Sequence, residues 1–228
     1  MNERESILAR IREALRVQAP RAGHADGQTG ESPGLPDAAA MRRWLPAGGE
    51  TLDEQLALFA KNATDLKAEF HLLQTPQELG SRVRALRDTE GWSKVATHRG
   101  DLTDLVCQEL NLPVCHTDTS YDPAELESCS VGITQCDALV AQTGSVLLSS
   151  RSAGGRALSV LPPHHLVLAR REQLLRDLPA ALELLKRTYA PTYPSFISFI
   201  TGPSRTGDIE RILVLGAHGP KKLTIVCV

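Results

Sequence analysis

The feature that most constrains the fold is the alternation of short apolar runs with capped helices in the first half of the chain. Segments Thr51–Glu54 and Thr75–Glu78 each match a capping box, in which a hydroxyl residue precedes a glutamate by three positions. They predict helices that end near Glu69 and Arg87. A further helix is expected at 101–110, and strands are expected at 70–74, 92–97 and 113–116. Strands that alternate with helices in this way predict an α/β fold with a mainly parallel sheet flanked by helices.

The pattern changes after Asp122, where apolar runs follow one another closely. Strands are expected at 131–134, 138–141 and 145–149, the last two joined by a turn that contains Gly144. Glycine allows the positive φ that tight turns need, so we expect strand-rich, partly antiparallel structure here.

The last third predicts a strand at 166–169 and a helix at 171–188, with Leu178, Leu182 and Leu185 facing inward. Pro179 would kink that helix because proline lacks the N–H that a helix interior uses. Residues 196–200 and 223–228 predict two buried strands on either side of Thr201–Pro220.

The N-terminal segment predicts a separate helix on a flexible linker. Ile7, Leu8, Ile11 and Leu15 form an apolar stripe at helical spacing. The next stretch is rich in glycine, proline and polar residues without periodicity, which predicts poor order. We therefore expect an N-terminal helical appendage at 1–18, a linker at 19–48 and an α/β domain at 49–228. The apolar stripe needs a covering surface, and the sequence leaves open a homo-oligomer contact, a partner contact or a lid on the domain.

Charge and hydropathy restrict the partners. The formal net charge of −2 offers no basic field for nucleic acid and no polybasic anchor for a membrane. No apolar run approaches the roughly 20 residues that span a bilayer, and the N-terminus is charged rather than signal-like. We expect a cytoplasmic protein.

The cysteines predict no metal or cofactor in this chain. There are 5, an odd number, and no two form a C-x-x-C pair. Disulfide frameworks, thiolate zinc sites and iron–sulfur clusters typically need even or closely spaced sets, so buried thiols are expected instead.

Polar and cationic side chains concentrate in three loops. Arginine can bind a phosphate or carboxylate through two parallel hydrogen bonds, and hydroxyls and backbone N–H groups supplement it. We therefore expect an anion site drawn from Thr143, Gly144, Ser145, Gly155, Arg156, Gly202, Ser204, Arg205, Thr206 and Asp208. The sequence leaves an alternative for these residues. Each hydroxyl, taken singly, is also explained by turn formation, and Arg156 is equally well explained as a solvated arginine on the surface.

Catalytic groups are less evident. The chain lacks the nucleophile elbow, the phosphate-binding P-loop and the dinucleotide-binding glycine motif. Glu210 and His218 are the candidate acid–base residues, although a surface acid and a turn histidine bonded to backbone account for them as well. His164 and His165 follow two prolines, and we interpret His165 as a residue that positions the start of a strand.

Three segments resemble the LUD-domain family, in particular its lactate utilization members: DALVAQTGSVLLSS at 137–150, GRALSVLPPHHLVLA at 155–169 and FITGPSRTGDIERILVLGAHGPKKLTIV at 199–226. The resemblance implies a fold similar to the ribose-5-phosphate isomerase, glucosamine-6-phosphate deaminase and CoA-transferase group. It also implies a role in oxidising L-lactate to pyruvate beside two partner proteins, of which at least one carries iron–sulfur clusters.

One departure from the family bears on mechanism. The family commonly has Ala-Glu-Thr-Gly-Thr where this chain has Ala-Gln-Thr-Gly-Ser at 141–145. CoA transferases of related fold use a loop glutamate as nucleophile, and if the loops correspond, Gln142 cannot attack as a carboxylate does. Our first hypothesis is a non-redox accessory subunit of an iron–sulfur-dependent L-lactate oxidation system that binds a small anionic ligand. The alternatives are a stand-alone enzyme acting on a phosphorylated sugar or thioester, and a scaffold without a ligand.

Overall fold

The structure, a computed structural model, describes residues 3–14, 16, 44–118, 120–206, 214–216 and 218–228. The chain divides into two compact units, Met1–Ala40 and Met41–Val228. In the first unit, helix α1 spans Glu3–Ala14, and Ile7 and Leu8 of its predicted stripe are exposed. The predicted linker lies outside the described residues up to position 43, so the three-part division stays a prediction.

The second unit alternates helices and strands. Its helices are α2 (Leu52–Asp65), α3 (Glu78–Glu90), α4 (Asp101–Leu110), α5 (Pro123–Glu127) and α6 (Leu178–Tyr189). Its strands are β1 (Glu69–Leu72), β2 (Val95–Thr97), β3 (Val114–His116), β4 (Val131–Gln135), β5 (Ala138–Val140), β6 (Ser145–Ser149), β7 (His164–Ala169), β8 (Leu174–Leu175), β9 (Ile197–Ile200), β10 (Arg205–Thr206), β11 (Val214–Leu215) and β12 (Lys222–Cys227).

The larger sheet has six strands in the order β1-β12-β7-β4-β2-β3, and every neighbouring pair is parallel. Helices cover both faces, as connections between parallel strands require. The predicted α/β fold with a mainly parallel sheet is therefore confirmed. β4 belongs to this sheet and not to the antiparallel region that its spacing had suggested, because tertiary pairing and not local pattern selects the partner of a strand.

A smaller sheet has four strands in the order β8-β5-β6-β9. β5 pairs with β6 in antiparallel fashion, as predicted, and Gly144 in the turn between them has φ +65°. β9 pairs antiparallel with β6 at the edge of the sheet, and its residues are half-buried. The strand predicted at 196–200 is therefore present, but its predicted burial was wrong, whereas β12, an interior strand of the large sheet, is buried from Leu223 to Cys227.

The core lies on both faces of the large sheet, and β7 shows how. Leu166 and Leu168 pack with residues of α3 and α4 on one face. Val167 and Ala169 pack with residues of α2 and of the small sheet on the other face. Successive side chains of a strand point to opposite faces, so a continuous apolar run is what a strand covered on both sides requires.

Two helix starts test the capping predictions. Thr51 forms the predicted capping box with Glu54 at the start of α2. Thr75 does not cap, because its hydroxyl bonds to the carboxylate of Glu78 and α3 begins only at Glu78.

The helix predicted at 171–188 was wrong in its first third. Arg171–Gln173 form a 3₁₀ turn, β8 follows, and α6 begins at Leu178 after the N-cap Asp177. Pro179 therefore lies in the first turn, where its missing N–H costs nothing, and not in a kinked interior. The buried face of α6 is formed by Ala181, Leu185 and Tyr189, so Leu182, predicted inward, is 57% exposed.

Candidate functional site

A cavity of about 320 Å³ lies near the amino-terminal ends of β7 and β12, which supply His165 and Leu223 to its wall. The remaining wall comes from the turn at 159–160, from the outer strand β9 and from the loop segments 201–204 and 218–220. Ligands of open α/β sheets usually bind at the carboxyl ends of the strands. Here the packing of the small sheet and its following loop against the large sheet creates a concave surface at the opposite end.

Of the two residues that the large sheet contributes to this wall, His165 is the polar one. It is 1% exposed, and its Nε2 lies 2.9 Å from Oγ1 of Thr134 on β4. Its Nδ1 is buried and has no hydrogen-bond partner among the described residues. Burial penalises the charged ring and lowers the pKa of His165 to about 3, with a smaller contribution from His164. The ring is therefore neutral at physiological pH.

Sequence reasoning assigned His165 only to the start of a strand, yet of the two adjacent histidines it is the one that lines the cavity. The alternation of a β-strand could have separated the two histidines, since neighbours in a strand face opposite sides. His164 lies on the other face, where it accepts a hydrogen bond from Trp92 Nε1 at 3.3 Å and its Nε2 lies 2.9 Å from Thr224 Oγ1.

Ser204 and His218 come from the two arms of one loop. The N–H of Ser204 donates to the carbonyl of Pro220 at 2.9 Å, and the N–H of Gly216 donates to the carbonyl of Ser204 at 2.9 Å. The strands β10 and β11 continue this pairing away from the cavity. Ser204 and His218 both line the cavity, Ser204 as a half-buried residue and His218 as an exposed one.

Thr143 and Ser145 do not line the cavity of about 320 Å³ described above, which we call the His165 cavity. They line a separate cavity of about 390 Å³, whose other walls are mainly apolar residues of α6 and β9. Oγ of Ser145 lies 2.8 Å from Oγ1 of Thr201, so Ser145 holds the residue that precedes Gly202. Oγ1 of Thr143 is buried without a partner in the described part of the chain. Thr201 belongs to both cavities and is the point where they adjoin.

Gly144 and Gly202 allow the loops that contain them to pack closely against α2 and the residue that follows it. Gly202 has φ +83°, and a Cβ added there would lie 2.6 Å from the carbonyl oxygen of Leu66. A Cβ added at Gly144 would lie 2.6 Å from the backbone nitrogen of Ala63. Each glycine therefore combines a left-handed conformation with a close backbone approach that a larger residue would prevent.

The predicted cationic residues lie outside both cavities. Arg156 and Arg205 are exposed and form no ion pair with another described residue. Gly155, beside Arg156, has φ +107° and open space around it. Arg205 directly follows Ser204 and begins β10, so it lies one residue from the cavity wall.

Two of the predicted residues, Asp208 and Glu210, lie outside the described residues. Of Thr206 only the backbone is described, in its pairing with Val214. The structure therefore brings Gly202, Ser204 and His218 to one cavity and separates them from Thr143 and Ser145.

Gln142 is occupied elsewhere. Its Nε2 donates to the carbonyl oxygen of Pro46 at 2.6 Å, and its backbone carbonyl accepts from Nδ2 of Asn62 at 3.0 Å. The side chain thus ties the segment that precedes α2 to the turn between β5 and β6.

The cysteine thiols are poorly suited to bind metal. Burial raises the pKa of Cys107, Cys129 and Cys227 to about 11 and raises the pKa of Cys115 and Cys136 as well. Thiolates are the form that binds metal, and these thiols stay protonated. Over the described ranges, no group of three or more His, Cys, Asp or Glu residues is placed to hold a metal ion.

Among the described residues, no helix has the length and apolarity to cross a membrane.

A family model described as LUD domain matches residues 56–228. Lactate utilization protein C of Shouchella clausii is 37% identical over 112 residues, which cover 49% of this chain and 49% of that protein. Lactate utilization protein C of Bacillus subtilis is 36% identical over 104 residues, which cover 45% of this chain and 43% of that protein. The chain spans about half the length of the curated relatives it matches.

A solved structure is also similar. It is a DUF162 family protein from Deinococcus radiodurans, with a TM-score of 0.61 and 20% sequence identity, and the match covers 79% of this chain and 99% of that chain. At this identity the likeness shows a shared fold.

Proposed function

Since the chain belongs to the LUD domain family, we propose that it serves lactate utilization as a non-redox accessory subunit of an L-lactate oxidation system. The observation that carries the proposal is its similarity to proteins named lactate utilization protein C, at 37% and 36% identity over more than 100 residues each.

The ligand of this subunit is the small hydroxy or keto acid, held in the His165 cavity. Leu223 and Ile200 offer apolar wall to a short carbon skeleton, and Ser204 offers a hydroxyl. Arg205 lies one residue beyond Ser204 and supplies an exposed cation for the carboxylate at the mouth. A carboxylate left at the mouth keeps its contact with water, whereas a carboxylate inside the cavity would lose it.

The electron transfer is assigned to partner proteins that carry iron–sulfur clusters. Buried thiols with raised pKa values are poor cluster ligands, which supports a division of labour in which this chain binds and the partners oxidise. The packing of Gln142 against Pro46 likewise supports a binding role over a loop-nucleophile transferase mechanism.

The proposal is tested by deleting the gene and growing the cells on L-lactate or glucose as sole carbon source. Growth on L-lactate should fail and be restored by the intact gene, while growth on glucose should be unchanged. A tagged copy purified from lactate-grown cells should bring down brown, iron-containing partners. Normal growth on L-lactate without the gene would overturn the proposal, and turnover of a sugar phosphate or thioester by the isolated chain would favour the stand-alone enzyme.

A further inference from the structure

His165, which borders the cavity, carries a buried polar atom that the described part of the fold leaves unsatisfied. Nδ1 of His165 is buried and has no hydrogen-bond partner in the described part of the chain, although the residue is only 1% exposed. A buried polar group without a partner costs roughly 1–3 kcal/mol, and most such groups in folded proteins are satisfied. An unsatisfied buried atom on a residue that borders a cavity therefore points to a molecule in the cavity as its partner.

The contact with Thr134 determines which kind of partner is missing. Thr134 is fully buried, and its hydroxyl has no described partner besides Nε2 of His165, at 2.9 Å. The hydroxyl hydrogen needs an acceptor, and the lone pair of Nε2 provides one. In a neutral imidazole the proton then resides on Nδ1. The unsatisfied group is a hydrogen-bond donor, and the missing partner is an acceptor.

The rest of the wall limits the ligand further. The wall residues that the structure describes include no lysine, arginine, aspartate or glutamate. Ser198 and Ser204 are half-buried, and their hydroxyls form no hydrogen bond with another described residue. Phe196, Ile200 and Leu223 make much of the remaining wall apolar. Such a cavity suits a small molecule whose inner end is uncharged and carries an acceptor oxygen.

We propose that His165 is a ligand-contacting residue whose Nδ1–H donates a hydrogen bond to the carbonyl or hydroxyl oxygen of a small molecule in this cavity. Thr134 is its positioning residue, because the hydroxyl of Thr134 fixes the proton on Nδ1. The choice of a 2-oxo or 2-hydroxy acid as the ligand rests on the proposed function, whereas the donor role of Nδ1 rests on the geometry alone.

The first test uses the full wild-type chain with ¹⁵N-labelled histidine. In the free protein, the Nδ1 resonance of His165 should be that of a protonated nitrogen and the Nε2 resonance that of an unprotonated one. Adding pyruvate or L-lactate should shift the Nδ1 resonance, whereas the resonances of His164, on the other face of the sheet, should stay in place. An unprotonated Nδ1 in the free protein would overturn the proposal, and so would a His165 resonance that neither acid changes.

The second test compares variants by calorimetry with pyruvate and with the uncharged analogue lactamide. His165→Gln retains a group near the position of Nε2 but removes the Nδ1 donor, and it should weaken binding about tenfold or more. His165→Asn places an amide N–H near Nδ1 and should retain much of the affinity. Thr134→Val should weaken binding and also change the protonation pattern of the ring, which a purely structural role would not do. Equal affinity of wild type and His165→Gln would contradict the contact.

The two proposals fail separately. If growth on L-lactate requires the gene but neither acid changes the His165 resonances, the lactate role stands and the contact is wrong. If pyruvate shifts Nδ1 but growth on L-lactate does not require the gene, the contact stands and the proposed function is wrong.

Discussion

His164 and His165 are consecutive residues of β7, yet both ring nitrogens of His164 have a hydrogen-bond partner whereas Nδ1 of His165 has none among the described residues. His164 bridges Trp92 and Thr224 on one face of the sheet. His165 bonds to Thr134 on the other face and borders the cavity. The fold thus satisfies both ring nitrogens of His164 and leaves Nδ1 of His165 as the donor for the ligand proposed above.

The first prediction concerns Arg205. Replacing Arg205 with alanine should weaken binding of pyruvate or L-lactate about ten- to a hundredfold, because a hydrogen bond to a charged group contributes roughly 1.5–3 kcal/mol. The melting temperature should stay nearly unchanged, since Arg205 is exposed and forms no ion pair with another described residue. Calorimetry and thermal melts measure both effects. Arg187→Ala, which removes an exposed charge on α6, is the matched control. A melting temperature that drops by many degrees would show that Arg205 has a structural role.

The second prediction separates backbone strain from steric clash. Gly144→Ala should lower the free energy of unfolding by about 1–3 kcal/mol more than Gly91→Ala. Both glycines have positive φ, +65° and +67°, but only at Gly144 does an added Cβ meet backbone, whereas at Gly91 nothing lies within 4 Å. Urea denaturation of the three proteins makes the comparison. Equal losses for the two variants would show that the contact with α2 relaxes at little cost.

The third prediction concerns pH. Burial lowers the pKa of His165 to about 3 and lowers the pKa of His164 and His98 below 6.5. The unfolded chain takes up these protons near pH 6.5 and the folded chain takes them up only at lower pH, so stability present above pH 6.5 should be lost as the pH falls, for His165 down to about pH 3. His165 alone contributes a slope of up to about 1.4 kcal/mol per pH unit. Unfolding measured from pH 7.5 to 4 should show a shallower slope for His165→Gln. An unchanged slope would mean that His165 protonates in the folded protein.

The fourth prediction concerns the thiols. In denaturant all 5 cysteines should react with a thiol reagent. In the native protein four are buried and Cys107 is half-buried, with its pKa raised to about 11, so reaction should be slow and begin at Cys107. Only thiolates react quickly, and these thiols stay protonated. A thiol that reacts at once in the native protein would contradict this account, and so would about one iron or zinc per chain by elemental analysis.

Local patterns were sufficient for much of the fold. The capping box at Thr51, the helix at 101–110 and the strand at 145–149 depend on residues within a few positions of one another, and the structure confirms them. The alternation of strands and helices also predicted a parallel sheet, because parallel neighbours need a crossover between them. A local contact also explains why the capping pattern at Thr75 failed. The hydroxyl of Thr75 bonds to the carboxylate of Glu78 and does not cap the helix.

Only the tertiary structure decided how the candidate residues are grouped. Thr143 and Ser145 appeared to belong with Ser204, but antiparallel pairing of β6 with β9 places them at a second cavity. The role of Gly144 depends on α2, where Asn62 bonds to Ala141 across 79 residues of sequence. Contacts at such separations leave no periodic signal in the chain. His165 shows the same limit. The sequence predicted only that it precedes a strand, whereas the parallel pairing that sets Thr134 beside Nε2 and leaves Nδ1 unsatisfied exists only in the assembled sheet.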